Sequence, residues 1–230
     1  MALTSALVFK SKTLQLQVSA ATRRGVSKLV PDLSRLSQNE AGGALRTIAT
    51  GSIAQFGNVA TQSARISYDS LREAAIPAGS QFAARALEIK TPALTDVAVG
   101  TAMALVQQER FEMAASTFVD VIDKSVSDVY RETMAVAAFD DRDAIGYQRI
   151  ASPNACAFCA LVATNEYTSF AEDGGYHNSC GCTTIPIFRG LGAFRPSYYK
   201  DFEEEYISAA QQYSSPREIL QVMRRETGRR

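Results

Sequence analysis

The segment FEMAASTFVDVIDKSVSDVYRETMAV, residues 111–136, decides how the fold is read. Phe111, Ala115, Phe118, Ile122, Val126, Val129, Thr133 and Val136 recur at steps of three and four. Between them lie Glu112, Asp120, Asp123, Lys124, Asp128, Arg131 and Glu132. One apolar stripe beside one charged face is the pattern of an amphipathic helix. A weaker version runs from Leu45 to Leu71 through Ile48, Phe56, Val59 and Ile66. Ile76-Pro77-Ala78-Gly79 marks a break, and Thr91-Pro92 reads as an N-cap followed by proline at the first helical position. Gly25 and Gly42-Gly43 punctuate the earlier helices. Residues 1–145 are therefore expected to form an α-helical body, its stripes serving as core or as surfaces for partner helices.

Composition bounds what such a body does. An apolar fraction of 46% with 21% charged residues is that of a globular chain and argues against disorder. No run approaches the roughly 20 apolar residues of a membrane span. Lys+Arg and Asp+Glu balance at 24 each, so the overall basic field of a dedicated nucleic-acid binder is missing. The charge is uneven, however. Lys10, Lys12, Arg23, Arg24 and Lys28 precede the first acid, Asp32, and the chain ends on Arg224, Arg225, Arg229 and Arg230. The basic start reads as a surface helix, with a mitochondrial presequence as the alternative. The basic end is either a DNA contact or a solvated helix end favoured by its own dipole.

After Asp140-Asp141-Arg142-Asp143 the texture changes. From Gly146 the helical period is lost, and Cys, Gly, Pro and aromatic residues concentrate. Glu166–Phe170 and Thr183–Phe188 read as short strands, with Asp173-Gly174-Gly175 as the turn between them. Two short strands are marginal alone, so a staple is expected. Ser215-Pro216-Arg217-Glu218 reads as a capping box opening a last helix, with Gly228 as its stop.

The staple is in view. All 4 cysteines and the 1 histidine fall between residues 156 and 182, as Cys156-Ala157-Phe158-Cys159 and His177-Asn178-Ser179-Cys180-Gly181-Cys182. A C-x2-C knuckle and a second short ligand pair across a hairpin can converge on one tetrahedral ion. Cys156, Cys159 and Cys180 are the favoured ligands, with His177 or Cys182 as the fourth. With no open position, such a zinc site is structural. Metal binding of this kind contributes on the order of 10 kcal/mol to folding. Two disulfides, pairing the knuckle with Cys180 and Cys182, or four reduced buried thiols remain open. A Cys–His nucleophile is the enzymatic alternative, but no acid is in view to orient the histidine. No glycine-rich phosphate loop, G-x-S-x-G or H-E-x-x-H occurs. No enzymatic activity, catalytic residue or small-molecule substrate is expected.

These residues also carry a resemblance. Asn154-Ala155-Cys156-Ala157-Phe158-Cys159-Ala160-Leu161, then Tyr176-His177-Asn178-Ser179-Cys180-Gly181-Cys182-Thr183, then Ile185-Pro186-Ile187-Phe188, resemble the core of the Mu F-like minor head proteins. The likeness is strongest to those of tailed phages of actinobacteria. Arg149-Ile150 matches the arginine and aliphatic residue that precede the first cysteine in that family, and Pro186-Ile187-Phe188 its Pro-x-Phe. The motif-level match covers residues 146–190. The tryptophan often found near Tyr147 and the Arg-Gly pair near Thr164-Asn165 are absent here. The resemblance implies a few-copy protein of the phage head, near the portal, in capsid assembly or in DNA packaging or delivery. Some relatives are fused to a maturation protease or an ADP-ribosyltransferase, and neither activity is expected of this chain.

The resulting expectation is a mainly α protein in three segments. Residues 1–145 form the helical body, 146–195 a small α+β Cys/His-stapled hairpin module, and 196–230 a helical tail. Phe188, Phe194, Tyr198, Tyr199, Phe202 and Tyr206 close the module's core or present an interface. Expected partners are the portal protein and capsid subunits, with phage DNA reached through the basic termini. The expected location is the virion head, after assembly in the host cytoplasm. The alternative is a zinc-knuckle nucleic-acid binder, although no Lys or Arg lies between Cys156 and Cys182.

Overall fold

The structure is a computed structural model that describes residues 5–77, 79, 81–164, 177 and 180–228. Among them are seven helices and one two-stranded antiparallel sheet, the mainly α architecture expected. Helix α1 spans Ser5–Leu29, and a single 3-10 turn follows at Leu33–Arg35. α2 spans Gln38–Ala75, α3 Thr91–Val106 and α4 Phe111–Asp140. Val30-Pro31 and Ile76-Pro77 explain two of the stops, because a residue before proline is pushed out of the α region. No helix among the described residues is long and apolar enough to cross a membrane.

α4 is the hub, packing against α1, α2, α3 and both strands. Its predicted stripe is buried through Phe118, Ile122, Val126, Val129 and Thr133. Two members of its expected charged face, Asp123 and Arg131, are buried as well, because neighbours surround the helix. The α2 stripe differs from the expected one. Val59 and Ile66 are exposed, and the buried line is Ala41, Leu45, Ala49, Ile53, Ala60, Ala64, Tyr68 and Leu71. Small side chains let helices approach closely, which outweighs the larger area that Val59 and Ile66 would bury. The expectation that Gly25 and Gly42-Gly43 interrupt helices is also corrected, and at Gly25 the reason is close packing. They lie inside α1 and α2, and a Cβ on Gly25 would sit 2.7 Å from the Phe56 ring.

Helix ends also differ in detail. Thr91 is the first residue of α3, and Lys90 holds the cap position without a side-chain bond. Ser37 and Glu40 form a full capping box at α2. Ser215 caps the last helix without a side-chain bond, so the box expected with Glu218 is not made, whereas Gly228 ends that helix at φ 68°.

The sheet pairs β1 (Ala144–Ile150) with β2 (Thr183–Phe188), in register from Gly146 opposite Ile187 to Ile150 opposite Thr183, with a bulge before Ala144 meets Phe188. β2 is where the sequence placed it, but its partner is the segment after α4. The expected strand Glu166–Phe170 and its turn at 173–175 lie outside the described residues. Ile150, Ile185 and Phe188 join the core of the helical body. Helices α5 (Ala157–Thr164), α6 (Tyr199–Gln212) and α7 (Pro216–Thr227) build a second core around Cys159, Cys182, Tyr199, Phe202 and Met223. Of the C-terminal aromatic series, Tyr199 and Phe202 are buried there and stack at 5.5 Å, as the core reading expects.

Candidate metal centre

The Cys/His segment runs between the two strands, so the sheet brings its ends together at the seam of the two cores. Cys156 stands just before α5. The amide of Cys159 donates to the Cys156 sulfur at 3.4 Å, and the amide of Ala160 donates to the Cys156 carbonyl at 2.9 Å. A helix N-terminus favours negative charge, here that of the thiolates. The second ligand pair closes its own turn, with the Cys180 amide donating to the His177 carbonyl at 3.2 Å.

The two pairs meet. His177 Nε2 lies 3.0 Å from Cys156 Sγ and 3.5 Å from Cys159 Sγ, and Cys159 Sγ lies 3.4 Å from Cys180 Sγ. Donor atoms of Cys156, Cys159 and His177 form one group within 4.8 Å of one another, and those of Cys159, Cys180 and Cys182 a second. Cys159 is common to both. Around a tetrahedral zinc, donor–donor separations of about 3.5 to 3.8 Å are expected from its bond lengths. All five residues singled out from sequence are therefore brought together, and all four cysteines are free thiols. The donor set fits a soft divalent ion such as zinc.

The surrounding charges fit as well. Lys12, Arg131 and Arg149 are 7%, 3% and 3% exposed, and buried cations need counter-charge. Arg149 Nη1 lies 3.9 Å from Cys159 Sγ. The charges of Cys182 and Cys180 pull the Lys12 pKa up against the stronger lowering effect of burial. Among the protein groups alone, the thiols divide their protons. Cys156 is lowered to about 5, first by its bond with Cys159 and then by the Cys159 amide and His177, working against burial. Cys159 is raised by its bonds to Cys156, Cys180 and Cys182. At Cys182 the Cys159 contact lowers the value, but the Cys180 contact and burial outweigh it and bring it to about 12.

Sequence reasoning missed the supports of this centre. Arg131 donates through Nε to the Cys182 carbonyl at 3.0 Å and through Nη2 to the Cys180 carbonyl at 2.5 Å. Gln15 Nε2 donates to the same Cys182 carbonyl at 3.0 Å. Tyr199 accepts from the Ala151 amide at 3.0 Å and donates to the Arg149 carbonyl at 3.1 Å, fixing the strand end that leads into the knuckle. No apolar period marked Gln15, because the buried line of α1 on which it lies is largely polar.

A protein-family model, the VG15 protein, matches residues 4–209. The chain belongs to the VG15 protein family. VG15 is a viral gene family, which places the chain among phage proteins and is coarser than the Mu F-like minor head resemblance. The match spans the helical body, the Cys/His segment and most of α6, and stops short of α7, which supplies Ile219, Val222 and Met223 to the second core. No curated protein and no solved structure matches the chain.

Proposed function

We propose that the chain is a minor head protein of a tailed phage, non-enzymatic, acting in head assembly near the portal, with zinc as a structural ion. The observation that carries this reading is the convergence of Cys156, Cys159, His177 and Cys180, the residues of the Mu F-like string, at the seam of a helical bundle. In this reading those four hold the ion, and Cys182, 2% exposed, stands behind them as a buried thiol. When bound, the ion cross-links the knuckle to the His177–Cys180 turn. The protein's own residues supply the rest: α5 orients the first pair, Arg131 holds the Cys180 carbonyl of the second, and Gln15 braces the adjoining Cys182.

Portal and capsid subunits are the partners in this reading, with phage DNA within reach of the basic C-terminus and the virion head as the location. The nucleic-acid alternative is disfavoured by the cluster's cations. Lys12, Arg131 and Arg149 face inward, whereas a phosphate-binding knuckle needs them at the surface. The Cys156–His177 distance would also suit a nucleophilic pair. The histidine nitrogen, however, faces two sulfurs at once, as a ligand does.

Quantitative mass spectrometry of purified virions tests the assembly role. A few copies per portal ring are expected, and detection in infected-cell lysate but not in virions would overturn the virion placement. Metal analysis tests the centre. About one equivalent of zinc is expected, and less than about half an equivalent in untreated protein counts against the ion.

A further inference from the structure

We infer that Arg131 and Gln15 are positioning residues for the metal, through which ion occupancy and the docking of α1 against α4 become one coupled event. The inference rests on the metal reading above and adds to it how the ion is linked to the helical body.

The Cys180-Gly181-Cys182 segment has two sides. Its sulfurs gather with Cys159. Its carbonyls are held by the helical body, Cys180 by Arg131 of α4 and Cys182 by both Arg131 and Gln15. The third carbonyl, that of Gly181, accepts from Ser152 Oγ at 3.4 Å, and Lys12 of α1 donates to that hydroxyl at 2.8 Å. Every carbonyl of the segment is therefore tied, directly or through one hydroxyl, to α1 or α4. Arg131 is itself oriented, because its Nη1 donates to Asp128 Oδ1 at 2.8 Å. A guanidinium fixed at one end presents its remaining donors with little loss of side-chain freedom.

Two consequences follow from linkage. A segment already held in place loses less conformational freedom when an ion binds, so the supporting bonds strengthen binding. By reciprocity, the bound ion strengthens the bonds. α1 feels this most, because Lys12 and Gln15 lie on its buried stripe and α1 otherwise buries few large side chains.

The test uses the full chain, zinc-loaded and chelator-stripped, with amide hydrogen exchange and zinc competition against a chromophoric chelator. Stripping is expected to speed exchange in α1 around residues 11–18 as well as around the cysteines. Arg131→Met and Gln15→Leu are each expected to weaken zinc binding by about 10- to 100-fold, with helical content unchanged. Arg131→Lys, which keeps the charge and loses the fork, is expected to stay close to Arg131→Met, which separates positioning from charge neutralisation. Should Arg131→Met fail to fold, Gln15→Leu and the exchange experiment on the unaltered chain still decide. Zinc bound at unchanged affinity in the variants, or α1 exchange indifferent to zinc, would overturn the coupling while leaving the metal centre standing. A wild-type chain that binds no zinc would overturn both.

Discussion

Asp141 is fully buried at the foot of α4 and gathers donors from three residues. Arg72 Nε lies 2.6 Å away, the Tyr68 hydroxyl 3.0 Å and the Asp143 amide 3.0 Å. Arg72 also reaches Asp143 at 2.6 Å and carries its Cζ 5.5 Å over the Phe82 ring. Removing one partner of a buried ion pair leaves a charge without compensation, which is far costlier than losing a surface bridge. Asp141→Asn is expected to destabilise the chain by about 3 kcal/mol in urea unfolding, at the low end for a buried pair because Asp143 still faces Arg72. Tyr130→Phe is a milder case. Its hydroxyl bonds Ser11 and Ser67 across three helices, and its loss is expected to cost about 1 kcal/mol by the same measurement. The thiols add a pH prediction. Cys159 has a raised pKa and carries its proton at neutral pH, whereas an ion binds it as thiolate. Zinc loading should therefore release protons and strengthen as pH rises, seen as binding heats that change with the ionisation enthalpy of the buffer.

At the scale of the element, α1 shows how far a stripe can depart from hydrophobicity. Its buried residues are Val8, Ser11, Lys12, Gln15, Val18, Thr22 and Val26, a helical spacing that is more than half polar. A period search on apolar residues passes over it, because Ser11, Lys12 and Gln15 are buried for the bonds they make rather than the area they cover. Its close approach to α2 depends on Gly25 under Phe56. Gly25→Val adds a branched side chain against that ring and is expected to cost about 1 to 3 kcal/mol, checked by thermal unfolding. The capping box at Ser37–Glu40 is an S-x-x-E that the sequence reading passes over, while the box it expects at Ser215–Glu218 is not made. The pairing of β2 was not legible either, since nothing local in TTIPIF selects its partner strand, and α4 delivers β1 to it. Replacing Cys156 and Cys159 with serine is expected to loosen 151–182 and the core of α5, α6 and α7. β1 and β2 should stay protected, because Ile150, Ile185 and Phe188 belong to the other core. Limited proteolysis read by mass spectrometry checks both halves, and full resistance across 151–182 would contradict the staple.

Across the whole molecule, two cores share one seam, and the Cys/His centre lies on it. Helical content, the long α2 and α4, the last helix with its Gly228 stop and the strand Thr183–Phe188 were legible, because each follows from local periodicity or local turn chemistry. The five Cys/His residues were legible as a group because metal-ligand spacing is itself a local property. Local pattern alone thus specifies a mainly α chain with one soft-donor cluster between residues 156 and 182. Long-range packing sets the rest: α2 buries its alanines rather than Val59 and Ile66, β1 partners β2, and Arg131 and Gln15 reach the ligand segment. Each of these depends on contacts between residues far apart in the chain, Gln15 with Cys182 above all. The burial of a side chain is set by what packs over it, and a local pattern records only which side chains tolerate being covered.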